Sequence, residues 1–236
     1  MKSEVSILIP TYNHACVEMV QDLSRQALQV EGLTFEILVG DDGSTDMGTI
    51  RHNRGINVIA HCHYIENKVN SGRAAIRNQL AKIARYRWLL FIDSDMVICS
   101  PQFLKHYLDA DPSLSVTCGG YKVMGDGDHW KGNLRYRYES KASKKRDRTQ
   151  RQTSPYQHFS TANFMIVMLA HPFDERLTKY GYEDVLFGKV LQESQVTIAY
   201  IHNPVGFADF EGNEDFLRKT EEGIRTLKSF RKELHG

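Results

Sequence analysis

Hydrophobic residues follow two alternating patterns along the first hundred positions of the chain. Three short runs, at residues 5–9, 35–39 and 88–92, are predominantly apolar, as buried strands are, and a fourth run at 58–65 is more polar. Two segments place apolar side chains three and four positions apart, as amphipathic helices do, at residues 16–28 and 71–84. This alternation predicts an α/β, Rossmann-like fold with a mostly parallel central sheet and helices on both faces.

The second half of the chain has a less regular pattern. Helices are predicted at residues 101–108, after Tyr182 and at 215–234, and strands at 114–118, 163–169 and 196–201. Lysine and arginine dominate residues 131–151, and residues 141–148 have no apolar face to bury. We expect this basic segment to be mobile, either as a solvated surface loop or as a lid that orders over an anionic ligand. We predict a single domain with halves at about 1–100 and 101–212 and a C-terminal helix at 213–236.

The composition limits the kinds of partner. With 30 basic and 29 acidic residues, the 236-residue chain has a net charge of +1, so no global field recruits nucleic acid or anionic lipid. The four cysteines, Cys16, Cys62, Cys99 and Cys118, form no C-x-x-C pair, which favours reduced thiols in a cytoplasmic protein. No apolar run is long enough for a secretory signal or a membrane span. A soluble protein, at most peripheral to a membrane, is expected.

Acidic residues lie where the predicted strands end. The pair Asp41-Asp42 follows the second strand, and Asp93 and Asp95 follow the fourth. Ligands of open parallel sheets bind at the carboxyl ends of the strands. Asp93 and Asp95 can face one ligand, and two such carboxylates repel each other unless a hard cation such as Mg²⁺ or Mn²⁺ neutralises them. Taken alone, these acids are also compatible with helix caps or an ordinary turn.

Four ordered motifs carry a family resemblance. The segments ILIPTYN, LVGDDGSTD, NSGRAAIRN and LLFIDSD occur in this order within residues 5–95. Together they resemble the nucleotide-sugar half of a glycosyltransferase family 2 enzyme with the GT-A fold, and the resemblance continues more loosely to about residue 205. It implies a single GT-A domain and an inverting enzyme that moves a hexose or N-acetylhexosamine from a nucleotide sugar to an acceptor hydroxyl, with Mn²⁺ or Mg²⁺ as cofactor.

The resemblance also implies a donor site. Its residues would be Pro10, Thr11, Tyr12, Asp41, Asp42, Asn70, Gly72, Arg77, Asp93 and Ser94. In this arrangement Tyr12 stacks on the base, with uracil favoured, and Asp41 or Asp42 accepts the ring N–H. Arg77 reaches the base, the ribose or the phosphates, or else forms a helix-surface ion pair. Asp93 contacts sugar hydroxyls, and Asp95 is the metal ligand.

The catalytic residues are expected in the segment YGYEDVLFGKVL. Glu183 and Asp184 open a predicted helix there, where the helix dipole favours acids whether or not they are catalytic. The resemblance implies that Asp184 is the general base and that Glu183 orients the acceptor or the donor sugar. It also makes His202 a candidate second metal ligand, although a lone histidine among the ten in this chain is as compatible with a surface or core position.

Two other classes of function remain open. A sugar-nucleotide nucleotidyltransferase would need a glycine-rich, basic loop after the first strand, and residues 11–14 read TYNH instead. A non-catalytic nucleotide- or sugar-binding module would keep the same fold. For the enzyme, the resemblance implies a glycan or lipid-linked saccharide acceptor in bacterial polysaccharide or glycoconjugate synthesis. The setting is then cytoplasmic, with residues 135–151 able to contact anionic headgroups at the inner face of the membrane. The absence of a long C-terminal extension disfavours a processive polysaccharide synthase.

Overall fold

The computed structural model of the chain describes residues 1–144, 148–168 and 172–234. The strands are β1 (Glu4–Thr11), β2 (Thr34–Asp41), β3 (Cys62–Glu66), β4 (Trp88–Ile92), β5 (Met96–Ile98), β6 (Val116–Cys118), β7 (Tyr121–Val123), β8 (Asn163–Val167), β9 (Ile198–Tyr200) and β10 (Val205–Phe207). The helices are α1 (Val17–Leu28), α2 (Met47–Asn53), α3 (Arg73–Ile83), α4 (Phe103–Asp109), α5 (Leu134–Lys144), α6 (Arg148–Thr153), α7 (Glu183–Glu193), α8 (Asn213–Ser229) and α9 (Arg231–Leu234).

Seven strands form the central sheet in the order β3-β2-β1-β4-β8-β6-β9. Strands β1 to β4 are mutually parallel, whereas β8 runs antiparallel to both of its neighbours. The predicted mostly parallel sheet is therefore confirmed. The predicted strand at 58–65 is shorter than expected, because Arg54–Val58 forms a 3-10 helix and β3 begins only at Cys62.

The sheet has a hydrophobic core on each face because successive strand residues point to opposite sides. Ile7 and Ile9 of β1 pack into the core that includes residues of α1 and α4. Leu8 packs into the core that includes Leu80 of α3 and Phe187 of α7. The predominantly apolar strands of the sequence thus contribute side chains to both cores, and helices on both faces of the sheet are confirmed.

A second, three-stranded sheet in the order β5-β10-β7 extends one edge of the fold. Strand β5 begins directly after Asp95, and β10 pairs with it in antiparallel register, with Phe207 opposite Met96. The residues that follow β10 therefore run beside those that precede β5. This pairing brings Asp209 to the same end of the molecule as the acids that follow β4.

The expectation of a mobile segment at 131–151 is wrong for the described part of it. Helices α5 and α6 cover residues 134–144 and 148–153, and residues 145–147 lie outside the described residues. In α5 the Arg135 guanidinium lies 3.0 Å from the carboxylate of Glu139, whose side chain is 6% exposed. The Tyr121 hydroxyl donates to Glu139 at 2.8 Å, and Arg135 lies over the ring of Phe207. The inner face of α5 is a buried ion pair, which an analysis of apolar positions does not detect.

Gly43 sits where the loop after β2 meets the loop before α3. Its φ is +73°, and a Cβ there would lie 2.6 Å from the Val69 carbonyl carbon and the Asn70 nitrogen. We expect Gly43→Ala to lower the free energy of unfolding by roughly 1–3 kcal/mol, because the left-handed backbone is strained and the neighbouring backbone must move. Urea unfolding measures this. Gly55→Ala is the control, since nothing lies within 4 Å of its Cβ position; equal unfolding midpoints for the two variants would contradict the prediction.

No helix among the described residues is both long and apolar enough to cross a bilayer.

Candidate functional site

A cavity of about 490 Å³ opens at the carboxyl ends of β1, β2 and β4. From the first half of the chain it is lined by Pro10, Thr11, Tyr12, Asn13, His14, Asp42, Asn70, Gly72, Arg73, Ile76, Arg77, Asp93, Ser94 and Asp95. From the second half it is lined by Thr178, Lys179, Tyr180, Asp209, Glu211, Lys219 and Glu222. All but four of the sequence-predicted site residues lie on its wall, and the exceptions are Asp41, Glu183, Asp184 and His202.

The loop after β1 is held in place by its own polar side chains. Thr11 Oγ1 donates to the carbonyl of His14 at 3.0 Å. Asn13, at φ +51°, accepts at its side-chain oxygen from the backbone N–H of Thr45 and donates its own N–H to Ser44 Oγ. The loop is therefore rigid while the Tyr12 side chain remains 49% exposed at the rim. An aromatic ring fixed at a cavity rim can stack on a planar ligand.

The two adjacent aspartates after β2 have different surroundings. Asp41 is 1% exposed and accepts hydrogen bonds from the Tyr64 hydroxyl and from the backbone N–H of Ser44. Burial, together with that bond to Asp41, raises the pKa of Tyr64 above its ordinary value. Asp42 lines the cavity and accepts from the backbone N–H groups of Ser71 and Gly72, both at 2.8 Å. Asp42 therefore ties the loop before α3 to β2, and of the two aspartates it is the one beside the cavity.

A buried arginine joins the two halves of the chain behind the cavity. Arg77 is 2% exposed, and its Nη2 donates to Asp93 Oδ1 at 2.5 Å and to Thr161 Oγ1 at 3.2 Å. Its Nη1 donates to the carbonyl of Arg73 and lies 3.8 Å from Glu183 Oε1. Burial raises the pKa of Asp93 above its ordinary value, against the opposing influence of Arg77. The end of β4 and the start of α7 are thus fastened to one side chain of α3.

Glu183 belongs to this network and does not line the cavity. Its side chain is 7% exposed, and its Oε1 lies 3.4 Å from Arg73 Nη1. Burial works against its ionisation, but Arg73 and Arg77 hold the pKa of Glu183 below its ordinary value. Burial likewise opposes the charge on Arg73, yet Glu183 and Asp93 raise the pKa of that guanidinium. Both partners remain ionised, and Glu183 holds the first turn of α7 in place.

Asp184 follows at the start of α7 and is half-buried. Its Oδ1 accepts from the backbone N–H of Val185 at 2.8 Å. The loop that leads into it contributes Thr178, Lys179 and Tyr180 to the cavity wall. Asp184 is therefore adjacent to the cavity, although it is not part of the wall.

His202 lies away from the cavity. Its side chain is exposed, and it lines neither this cavity nor the adjoining groove of about 440 Å³. After β9 the chain forms β10, and the first residue after β10 that lines the cavity is Asp209. Asp209 lines both the cavity and the groove, and its carboxylate lies 3.7 Å from His14 Nε2. The geometry does not support His202 as a metal ligand, and no sequence motif marks Asp209.

The charges on the cavity wall are unequal. Six carboxylates line it, against the cationic side chains Arg73, Arg77, Lys179 and Lys219. Among residues 1–144, 148–168 and 172–234, no group of three or more His, Cys, Asp or Glu side chains is arranged to hold a metal ion. Asp95 and Asp209, which both line the cavity, supply the oxygen ligands that Mg²⁺ and Mn²⁺ accept. Two carboxylate ligands would leave the other coordination positions of such a cation to a substrate and water.

The far end of the cavity was not predicted from the sequence. Lys179 and Tyr180 come from the loop before α7, and Lys219 and Glu222 come from α8. Lys219 lies 3.4 Å from Glu211, which also lines the wall. Only the packing of α8 against this loop, through the bond from Thr226 Oγ1 to the Tyr180 carbonyl, gives these residues a place in the site.

Sequence relatives with known names match part of the chain. The poly(ribitol-phosphate) beta-glucosyltransferase of Bacillus spizizenii is 36% identical over 129 residues, which is 52% of this chain and 20% of that protein. UDP-Glc:alpha-D-GlcNAc-diphosphoundecaprenol beta-1,3-glucosyltransferase WfaP of Escherichia coli is 35% identical over 96 residues, covering 39% of this chain and 35% of that protein. The chain thus spans about a fifth to a third of the length of these relatives.

Solved structures share the fold at low sequence identity. TarS 1–349 of S. aureus in complex with UDP aligns with a TM-score of 0.65 and 20% identity, covering 93% of this chain and 63% of that one. The mannosyltransferase PcManGT of Pyrobaculum calidifontis, in complex with GDP-Man and Mn²⁺, aligns with a TM-score of 0.65 and 13% identity over 100% of this chain and 65% of that one. The fold is the expected GT-A fold. The family model described as Glycosyl transferase family 2 matches residues 6–171, and the chain belongs to that family.

Proposed function

We propose that this chain transfers a sugar from a nucleotide sugar, with a UDP-sugar favoured, to an acceptor hydroxyl with inversion at the anomeric carbon. The observation that carries the proposal is one cavity whose wall includes Tyr12, Asp42, Asp93 and Asp95 and which the start of α7 adjoins. Two relatives support the donor class, since WfaP is named for UDP-Glc and TarS 1–349 was solved with UDP.

The donor nucleoside is assigned to the end of the cavity formed by Pro10, Thr11 and Tyr12. Tyr12 stacks on the uracil ring, and Asp42 accepts the ring N–H. Both Asp42 oxygens already accept backbone N–H groups, and a carboxylate has lone pairs left for one more bond. Asp93, fixed by Arg77, accepts from the ribose hydroxyls.

Asp95 and Asp209 are the residues that would hold Mn²⁺ or Mg²⁺. Such an ion, when bound, supplies Lewis-acid stabilisation of the departing diphosphate. The excess of carboxylates on the wall supports this, because a diphosphate entering it without a compensating cation would meet net repulsion. PcManGT, solved with GDP-Man and Mn²⁺, is a precedent among proteins of this fold.

Asp184 is assigned the role of general base. It accepts the proton of the acceptor hydroxyl while that oxygen attacks the anomeric carbon from the face opposite the leaving diphosphate. Glu183, buried between Arg73 and Arg77, positions Asp184 by fixing the first turn of α7. Glu183 is 7% exposed and does not line the cavity, so we assign it a positioning role.

The acceptor is proposed to be a glycan or lipid-linked saccharide in bacterial polysaccharide or glycoconjugate synthesis. The names of the Bacillus spizizenii glucosyltransferase and of WfaP support this setting. A cytoplasmic location with contact to the inner membrane face belongs to the same proposal. The exposed Arg137 and Lys141 of α5 are suited to anionic headgroups.

The proposed function is tested by nucleotide binding followed by turnover. In a thermal-shift assay with Mn²⁺, we expect UDP to raise the melting temperature more than GDP does, and the shift to fall when EDTA replaces the metal. A ligand that binds only the native state stabilises it by about 2.7 kcal/mol at 100 times Kd. No shift with any nucleoside diphosphate would refute the donor assignment. Binding without hydrolysis or transfer across a panel of donors and acceptors would favour the non-catalytic module, and pyrophosphate release from UTP plus a sugar phosphate would favour the nucleotidyltransferase.

A further inference from the structure

Two cationic side chains lie over the ring of Tyr180 on the cavity wall, and a third lines the same cavity. The Arg73 guanidinium carbon lies 4.9 Å from the centroid of the Tyr180 ring, and Lys219 Nζ lies 5.7 Å from it. Lys179, the neighbour of Tyr180 in sequence, is exposed and lines the same cavity. We call Arg73, Lys179 and Lys219 the cationic cluster.

The ring that organises the cluster is fixed from behind. The Tyr180 hydroxyl accepts from Arg135 Nη1 at 3.2 Å, and its carbonyl accepts from Thr226 Oγ1 at 3.2 Å. These bonds tie the loop before α7 to α5 and α8. A cation over the face of a tyrosine ring is held by the ring quadrupole without losing its hydrogen-bond donors. The cluster is therefore preorganised on a rigid support.

The cations retain donors for a ligand. Arg73 lies 3.4 Å from Glu183 and Lys219 lies 3.4 Å from Glu211, and among the described residues each has one carboxylate within 4 Å. A guanidinium has five N–H donors and an ammonium three, so one carboxylate does not exhaust either group. The Arg73 side chain is 49% exposed and that of Lys219 is 33% exposed.

The position of the cluster favours the acceptor over the nucleotide. Lys179 belongs to the loop that leads directly into Asp184, the proposed base, and the base must meet the acceptor hydroxyl. The proposed nucleobase position, between Tyr12 and Asp42, is formed by the loops after β1 and β2. Lys179 and Lys219 lie outside residues 6–171, the range matched by the family model.

We propose that the cationic cluster is an anion subsite that recognises a phosphate or carboxylate group on the acceptor. This inference rests on the proposed function, because it takes the cavity to hold donor and acceptor together. The anionic oxygens accept charge-assisted hydrogen bonds from Lys179, Lys219 and the open side of Arg73. Glu222, on α8 beside Lys219, lines the same end and accepts from hydroxyls of the sugar or polyol that bears the anion.

The test measures binding of small charged probes to the full chain by isothermal titration calorimetry, with and without saturating UDP and Mg²⁺. Glycerol 3-phosphate is compared with glycerol, and galacturonate with galactose, so the two arms separate a phosphate source from a carboxylate source. We expect at least one charged probe to bind about tenfold or more tighter than its neutral counterpart, since each bond to a charged group is worth enough for about a tenfold effect. The Lys179→Ala/Lys219→Ala double variant is expected to lose this preference. Lys228→Ala, an exposed lysine of α8 away from the cavity, is expected to keep it.

Three results would overturn the inference. Equal affinity for charged and neutral probes would show that no anion subsite exists. An unchanged preference in the double variant would place the subsite elsewhere. Weaker binding of UDP with Mg²⁺ in the double variant, with the probe preference intact, would make the cluster a clamp for the donor diphosphate. If the wild-type chain fails to bind UDP, the proposed donor site fails, and the nucleotide-free arm still decides whether Lys179 and Lys219 bind anions.

Discussion

Replacing Asp184 by asparagine is expected to lower kcat by about 10²- to 10⁴-fold, the range in which a general base contributes. The amide keeps the size and the hydrogen bond to the Val185 N–H but cannot take up the acceptor proton. Because Asp184 lies outside the cavity wall, UDP affinity should change by less than about twofold, well under the 1.4 kcal/mol that a tenfold change represents. Steady-state transfer kinetics and UDP titration together measure the two effects.

Two further variants sharpen this result. Glu193→Gln, at the exposed end of the same helix, is the control and should retain wild-type kcat. Glu183→Gln should differ from Asp184→Asn in lowering the melting temperature as well, because it weakens the buried ion pairs with Arg73 and Arg77. If Asp184→Asn abolished UDP binding and left transfer intact, the proton would have to go to another group, and the assignment of the base would be wrong.

Asp95→Ala is expected to reduce metal-dependent transfer by about 10³-fold or more, since Lewis-acid stabilisation is worth several kcal/mol in the transition state. The loss should appear as a much weaker dependence of kcat/KM on Mn²⁺ concentration. Asp209→Ala should give an intermediate loss, because we assign its carboxylate, which lines the cavity, as the second ligand of the cation. His202→Ala should behave like the wild type, since His202 is exposed and outside the cavity.

The informative result is the ranking of the losses of metal-dependent transfer in Asp95→Ala, Asp209→Ala and His202→Ala. If His202→Ala lost as much metal-dependent transfer activity as Asp95→Ala, His202 would replace Asp209 as the assigned second metal ligand. Full Mn²⁺ dependence in Asp95→Ala would place the cation elsewhere and leave the carboxylates after β4 without the assigned role. Melting temperatures of all three variants without ligand separate these outcomes from simple unfolding.

The network around Arg77 joins the proposed donor side of the cavity to the helix that carries the proposed base. A fully buried arginine requires compensating carboxylates, and removing one partner of a buried pair typically costs about 3–5 kcal/mol. Arg77 finds its partners in Asp93, at the end of β4, and in Glu183, at the start of α7. The distance between the donor-side acids and the proposed base is therefore fixed by a buried electrostatic requirement.

Much of the donor side of the site could be predicted from the sequence. Tyr12, Asp42, Arg77, Asp93 and Asp95 lie within or next to short motifs at the ends of strands whose apolar pattern is unambiguous. Parallel strands bring their carboxyl ends to one edge, so local pattern alone is enough to gather these residues. The roles assigned to them, like the division of the chain near residue 100, stay predictions.

The sequence by itself determined the order of strands and helices and the mostly parallel sheet, because these depend on local periodicity, and its four motifs marked residues at the edge of that sheet through their resemblance to the family. Only the tertiary structure decided that residues 134–144 form a helix, that His202 does not line the cavity and that Asp209 and Lys219 do. These depend on contacts between distant segments: Arg135 and Glu139 of α5 with Phe207 and Tyr121, β10 with β5, and α8 with the loop at Tyr180. Such contacts join residues through packing and buried charge, neither of which leaves a periodic pattern in the chain.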